Sequence, residues 1–259
     1  MKTFKEYLNE NSGLITTSLD EDPEKFLNTY CKAFAKSDVP LLYRGSSHLY
    51  EVGKENLKRN RLTFLDATSS YRESKSGPNY NTMILDYLFK TKFPQFPLRS
   101  KSLIATTDIS YCKTFGPRNL IIPFDDDKLG CVNDGDIWFV RLNFTESVTF
   151  LNFFRALTAA SSDYRLPTDN IDEFFAALDK GIKEDKFTNP YIPIVIPTKA
   201  KIIAAFTEVI ENKFRACKPA SFDNPGEVWF GPKAVAVPFN NSFDYAYIER
   251  KNGKWVINQ

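Results

Sequence analysis

Apolar residues recur along the chain at two spacings, and the changes between them mark the elements. Phe26, Leu27, Tyr30, Cys31 and Phe34 fall three and four apart behind Asp22-Pro23-Glu24, and predict a helix to about Lys36. Val39 to Tyr43 reads as a strand, with Arg44 at or just past its end and a turn at Gly45-Ser46-Ser47. From Glu51 to Asn81 the chain is polar and predicts a long ordered loop. Thr82 is placed to cap a helix running through Phe89, which the prolines of Phe93-Pro94-Gln95-Phe96-Pro97 end. Ser102 to Thr106 predicts a strand, after which Asp108 caps a short helix, Ile109 to Phe115, that stops at Gly116-Pro117.

Further strands are expected at Leu120–Phe124 and, after an Asn133-Asp134-Gly135 turn, at Ile137–Leu142. Helices are expected at Val148–Ala160, Ile171–Ile182 and Ile202–Phe214. An edge strand is expected at Ile192–Ile196, where a proline would break a central ladder. The last quarter reads as strands, Val228–Phe230, Ala234–Phe239, Tyr245–Arg250 and Trp255–Ile257, with a hairpin turn at Asn252-Gly253. No repeat or linker divides residues 21–259, so they are read as a single domain. Residues 1–20 stand apart as a leader or amphipathic segment, with Phe4, Tyr7 and Leu8 on one helical face.

Composition narrows the chemistry. Lys plus Arg total 34 against 32 acidic residues, so no global basic field draws in nucleic acid. No apolar run approaches transmembrane length, and a membrane partner is not expected. The four cysteines, Cys31, Cys112, Cys131 and Cys217, are far apart with no CxxC, and His48 is the only histidine. That ligand supply excludes a His/Cys metal site, and it fits a reduced cytoplasmic protein with buried thiols. Asp125-Asp126-Asp127 cannot all face one cation and reads as a solvated turn.

Three distant segments deliver a polar side chain out of an apolar run: Leu42-Tyr43-Arg44-Gly45, Ser102-Leu103-Ile104-Ala105-Thr106-Thr107 and Glu227-Val228-Trp229-Phe230. An Arg, a hydroxyl-bearing strand and a late Glu, in that order, resemble the NAD-binding cleft of the arginine–serine–glutamate class of ADP-ribosyltransferases. The run from Pro97 to the strand at Leu120–Pro123 is similar to the middle region of phage-encoded members. The resemblance spans about Val39 to Phe239. It implies an α+β fold with two packed, mainly antiparallel sheets of three to four strands around a cleft, plus peripheral helices.

It also implies NAD as the bound dinucleotide. Arg44 and Gly45 would hold it, Ser102, Thr106 and Thr107 would shape the nicotinamide pocket, and Glu227 would be the catalytic carboxylate. Breaking the nicotinamide–ribose bond asks mainly for charge recognition and a carboxylate near the developing oxocarbenium ion, which is electrostatic stabilisation. Two positions depart from the family pattern. Ala105 replaces the first hydroxyl of the Ser-Thr-Ser triplet, and Pro225 stands where the family has the first Glu of its Glu-x-Glu pair. The departures favour NAD hydrolysis, an acceptor other than arginine, or a cleft that binds without turnover.

Met1-Lys2-Thr3-Phe4-Lys5-Glu6-Tyr7-Leu8-Asn9-Glu10 resembles the capsid-targeting leader of tailed-phage internal head proteins. In that family a prohead protease cuts after a triplet such as Leu8-Asn9-Glu10, and Asn11 stands where a small residue is usual. The resemblance implies a virion interior, delivery to the host bacterial cytoplasm, and a host protein as acceptor. The alternative expectation is a non-catalytic internal head or host-interaction protein that keeps the fold.

Overall fold

The computed structural model describes residues 15–19, 22–36, 38–67, 79–133, 135–168, 170–187, 196–219, 226–240, 245–246 and 248–257. The leader residues 1–10, Asn11, residues 192–195 of the expected edge strand and Pro225 lie outside these. Ile196 lies in no strand.

The described residues form an α+β structure with seven α-helices and mainly antiparallel strands. Ten strands form one sheet, nine of them in a single hydrogen-bonded path. From one edge, the path runs β1 (Ile15–Leu19), β3 (Leu62–Asp66), β11 (Lys233–Asn240), β5 (Arg118–Pro123) and β2 (Leu42–Gly45). It continues through β4 (Leu103–Thr106), β10 (Glu227–Phe230), β6 (Leu129–Val132) and β9 (Phe214–Cys217), and β12 (Tyr245–Ala246) adds to β11. Two ribbons lie apart, β7 (Arg141–Asn143) with β8 (Ser147–Thr149) and β13 (Ile248–Lys251) with β14 (Lys254–Ile257).

The expected two sheets of three to four strands are corrected to this single path, although it is nearly divided. A single residue pair, Tyr43 with Thr106, joins β2 to β4. By contrast, β2 and β5 pair from Leu42–Ile121 to Gly45–Arg118, and β4 and β10 from Leu103–Phe230 to Thr106–Glu227. The halves thus meet at a seam with few ladder bonds. One core gathers Leu42, Ile121, Leu65 and Val235 from one half with Ala105, Val228, Phe230 and Leu129 from the other.

A second core lies on the other face of β4 and β10. Alternation sends Ile104 and Trp229 toward helices α3 (Tyr80–Thr91), α5 (Phe150–Asp163), α6 (Ile171–Lys183) and α7 (Lys199–Lys213). Trp229 is fully buried there, stacked with Phe89 and Phe96 at 6.0 Å, and its Nε1 donates to the Pro97 carbonyl at 3.1 Å. That bond satisfies the indole while its rings fill the core. The C-terminal ribbon closes on α1 (Pro23–Tyr30), where Trp255 Nε1 donates to the Cys31 carbonyl at 2.8 Å.

Several boundaries differ from the periodicity. The polar stretch after Glu51 is no loop, because α2 (Ser47–Lys58) and β3 occupy much of it. Its helix shows few apolar residues because only Leu49 and Gly53 are buried. Gly45 ends β2 instead of opening a turn, and Ser46 caps α2 by accepting from the Leu49 amide at 3.3 Å. Arg44 therefore lies within the strand. Asn79, not Thr82, caps α3, accepting from the Thr82 amide at 3.1 Å. Ile137–Phe139 is a 3-10 turn instead of a strand, and β6 and β9 carry too short an apolar run to stand out. Asn252 and Gly253 both adopt positive φ in the β13–β14 hairpin, as the Asn-Gly pair predicts.

Candidate functional site

The three segments of interest end on three neighbouring strands, β2, β4 and β10. Thr106 is in register with Tyr43 on one side and Glu227 on the other. Residues facing one another across an antiparallel ladder share a face, so Thr106 and Glu227 project to the helical side with Trp229. Strict alternation gives Arg44 the opposite sense from Tyr43. Its guanidinium turns into the seam, where Nη1 donates to the Ile104 carbonyl at 3.0 Å as β2 and β4 cease to pair. Burial lowers the Arg44 pKa from its ordinary value, with Cys112 acting in the opposite direction.

Glu227 is 8% exposed, and its partner is a residue absent from the sequence-derived site. Arg99, 2% exposed, brings Nη1 to 2.7 Å from Glu227 Oε1. Their opposite charges attract across that short distance inside the protein. Arg99 also lies over the Trp229 ring at 5.8 Å. A buried carboxylate aligns its turn: Asp86 on α3 accepts from the Arg99 amide at 2.7 Å and the Ser100 amide at 3.2 Å. Burial raises the Asp86 pKa, opposed by its hydrogen bonds from Ser100 and Arg99. Ser102 Oγ donates to the Leu98 carbonyl at 2.6 Å, so its hydroxyl braces this turn.

The threonines brace the backbone around Glu227. The Asp108 amide donates to Thr106 Oγ1 at 3.0 Å, and the Gly226 amide donates to Thr107 Oγ1 at 2.6 Å. Thr107 returns its own amide to the Gly226 carbonyl at 3.1 Å, and the Glu227 amide donates to Gly135 at 2.8 Å. Gly226 has φ +134°, and a Cβ there would come within 2.8 Å of the Val132 carbonyl oxygen. Only glycine suits both demands. Gly45 is needed for closeness instead, because a Cβ would stand 2.2 Å from the Cys112 carbonyl oxygen on α4 (Ile109–Cys112).

Two aromatic side chains lie on α4 and the turn that follows it. Tyr111 on α4 donates its phenol to Asp136 Oδ2 at 2.5 Å. Burial first, then the Asp136 bond and the charges of Asp136 and Glu227, push the phenol above its ordinary range. Tyr111 is 36% exposed and packs edge-on against Phe115, which is 60% exposed. His48 is exposed on α2.

An open depression of ≈ 390 Å³ over α7 and β7 lies between Phe139, Arg141, Glu208 and Lys213, and its lining excludes Arg44, Thr106 and Glu227. Among the described residues, no His/Cys/Asp/Glu group could hold a metal ion, and no helix is long and apolar enough to cross a membrane. The acidic turn is less solvated than its composition suggests. Asp125 accepts from the Lys32 and Ala33 amides at 3.1 and 2.7 Å, and Asp127 from the Phe124 amide at 3.1 Å.

The structure thus brings Thr106, Thr107 and Glu227 together, places Arg44 and Gly45 at the adjoining seam, and assigns Ser102 to the Arg99 turn. Arg99, Asp86, Tyr111 and Asp136 were missed. Arg99 lies in the Pro97–Thr107 run, but nothing local signals a partner beyond residue 200. Compared with protein-family models, curated proteins and solved structures, the chain has no significant match in any of the three.

Proposed function

We propose that the seam between β2 and β4, with Glu227 beside it, binds NAD and cleaves its nicotinamide–ribose bond, as an ADP-ribosyltransferase or NAD glycohydrolase. The observation that carries the reading is the consecutive placement of β2, β4 and β10, with Thr106 in register with both Tyr43 and Glu227. In this reading Glu227 supports positive charge on the ribose, and Arg44 and Gly45 bound the phosphate side. Arg99 is a positioning residue, aiming the carboxylate from 2.7 Å. The acceptor is a host bacterial protein, met after delivery or expression in the cell.

The test is nicotinamide release from labelled NAD, with and without bacterial lysate. Release by the intact chain and its loss in Glu227→Gln support the reading. Absence of both release and labelled acceptor overturns it.

A second reading is a non-catalytic internal head or host-interaction protein. The close Arg99–Glu227 pair favours it, because a carboxylate engaged by a buried cation is screened from a substrate. It predicts no turnover under any condition tested and an unchanged response in Glu227→Gln.

A further inference from the structure

We propose that Cys131 and Cys217 form a reversible dithiol–disulfide pair, a redox modification site one strand from Glu227. All four cysteines are present as thiols. The Cys131 and Cys217 sulfurs, 86 residues apart in sequence, stand 3.8 Å from one another. The strand register explains how they meet. Cys131 on β6 faces Arg215, and Cys217 on β9 faces Leu129, so the thiols are diagonal neighbours on one face of the ladder.

Their side chains reach toward one another across that diagonal and bring the sulfurs to 3.8 Å. Closing to a bond requires the sulfurs to approach by a little under about 2 Å, given an S–S length near 2.05 Å. Among the described residues β9 ends the main sheet and pairs with β6 alone, so it can shift without opening a second described ladder. Cys217 is partly exposed and Cys131 is buried, which sets the order of attack.

The co-reactant is a low-molecular-weight disulfide of the glutathione type. The Cys217 thiolate attacks one of its sulfurs, forming a mixed disulfide and releasing the first small thiol. The Cys131 thiolate then attacks Cys217 Sγ and displaces the second. Two electrons pass from the protein to the small disulfide, and the two cysteine protons end on the two small thiols released. Val228 faces Cys131 across β10 and β6, so the new bond would fasten the edge strand to the strand beside the carboxylate.

The experiment exposes the reduced, folded full chain to oxidised glutathione, blocks remaining thiols with N-ethylmaleimide under denaturing conditions, and reads intact mass and tryptic peptides. The expected result is loss of two alkylation sites and a peptide Leu129–Arg141 linked to the one beginning at Ala216. Dithiothreitol should restore both sites. Cys217→Ser should abolish the link, and Cys31→Ser should leave it. Four alkylated cysteines in the intact chain, a link involving Cys31 or Cys112, or linkage only between separate chains overturns the proposal. These readouts do not depend on NAD turnover, so the site stands or falls apart from the enzymatic reading.

Discussion

Arg44, half-buried, and Arg99, buried, place their guanidinium groups on the two sides of the seam, and the two regions settle that charge differently. Arg44 meets a backbone dipole, the Ile104 carbonyl at 3.0 Å. Arg99 meets a formal charge, Glu227 at 2.7 Å, over the face of Trp229. A dipole left behind by a lost cation is an unsatisfied acceptor. A carboxylate left behind is an uncompensated buried ion, which costs more. The halves of the sheet should therefore differ in their tolerance of losing an arginine.

The largest expected effect is at Arg99. Arg99→Met should destabilise the protein by about 3–5 kcal/mol in urea unfolding, and adding Glu227→Gln should recover most of that loss. A cost below about 1 kcal/mol, or no recovery, would erase the contrast. Arg44→Met comes next, at about 1 kcal/mol, because it takes the donor from the half-buried Ile104 carbonyl. Should it match Arg99→Met, the dipole account of the seam is wrong.

The third effect is at Asp127, on the connection from β5 in one half to β6 in the other. Burial, then the charge of Asp126, push its pKa up to about 6 against the Phe124 amide bond. The folded state thus holds this proton more tightly than the unfolded chain. Its stabilising contribution is complete only below the unfolded carboxyl's 3.8, falls as pH rises from there to about 6, and is nearly gone at pH 7. Asp127→Asn, which keeps an acceptor for Phe124, should raise stability at pH 7 by about 1 kcal/mol and flatten the pH 4–6 slope. A thermal melt series across that range checks the sign.

Much of the fold was legible where burial is one-sided. The helices around Phe26, Phe89, Phe153, Phe174 and Phe206 show their apolar faces, and the Asn252-Gly253 hairpin carries its own backbone signature. The region from α2 to β3 was not legible, because a helix burying only Leu49 and Gly53 leaves little pattern. The candidate site divides along the same line. Glu227, Thr106 and Arg44 stand out as polar residues interrupting strands. Arg99 looks like an ordinary surface residue until folding brings it to Glu227.

Side-chain pattern by itself determined an α+β chain, most of its helices, the strands bearing Arg44, Thr106 and Glu227, and a poor supply of metal ligands. Tertiary structure decided that those strands are neighbours, that two halves meet at one residue pair, and that Arg99 neutralises Glu227. The physical reason is range. Periodicity and capping act within a few residues, whereas ion pairing and strand register depend on which distant segments share a buried, low-dielectric space.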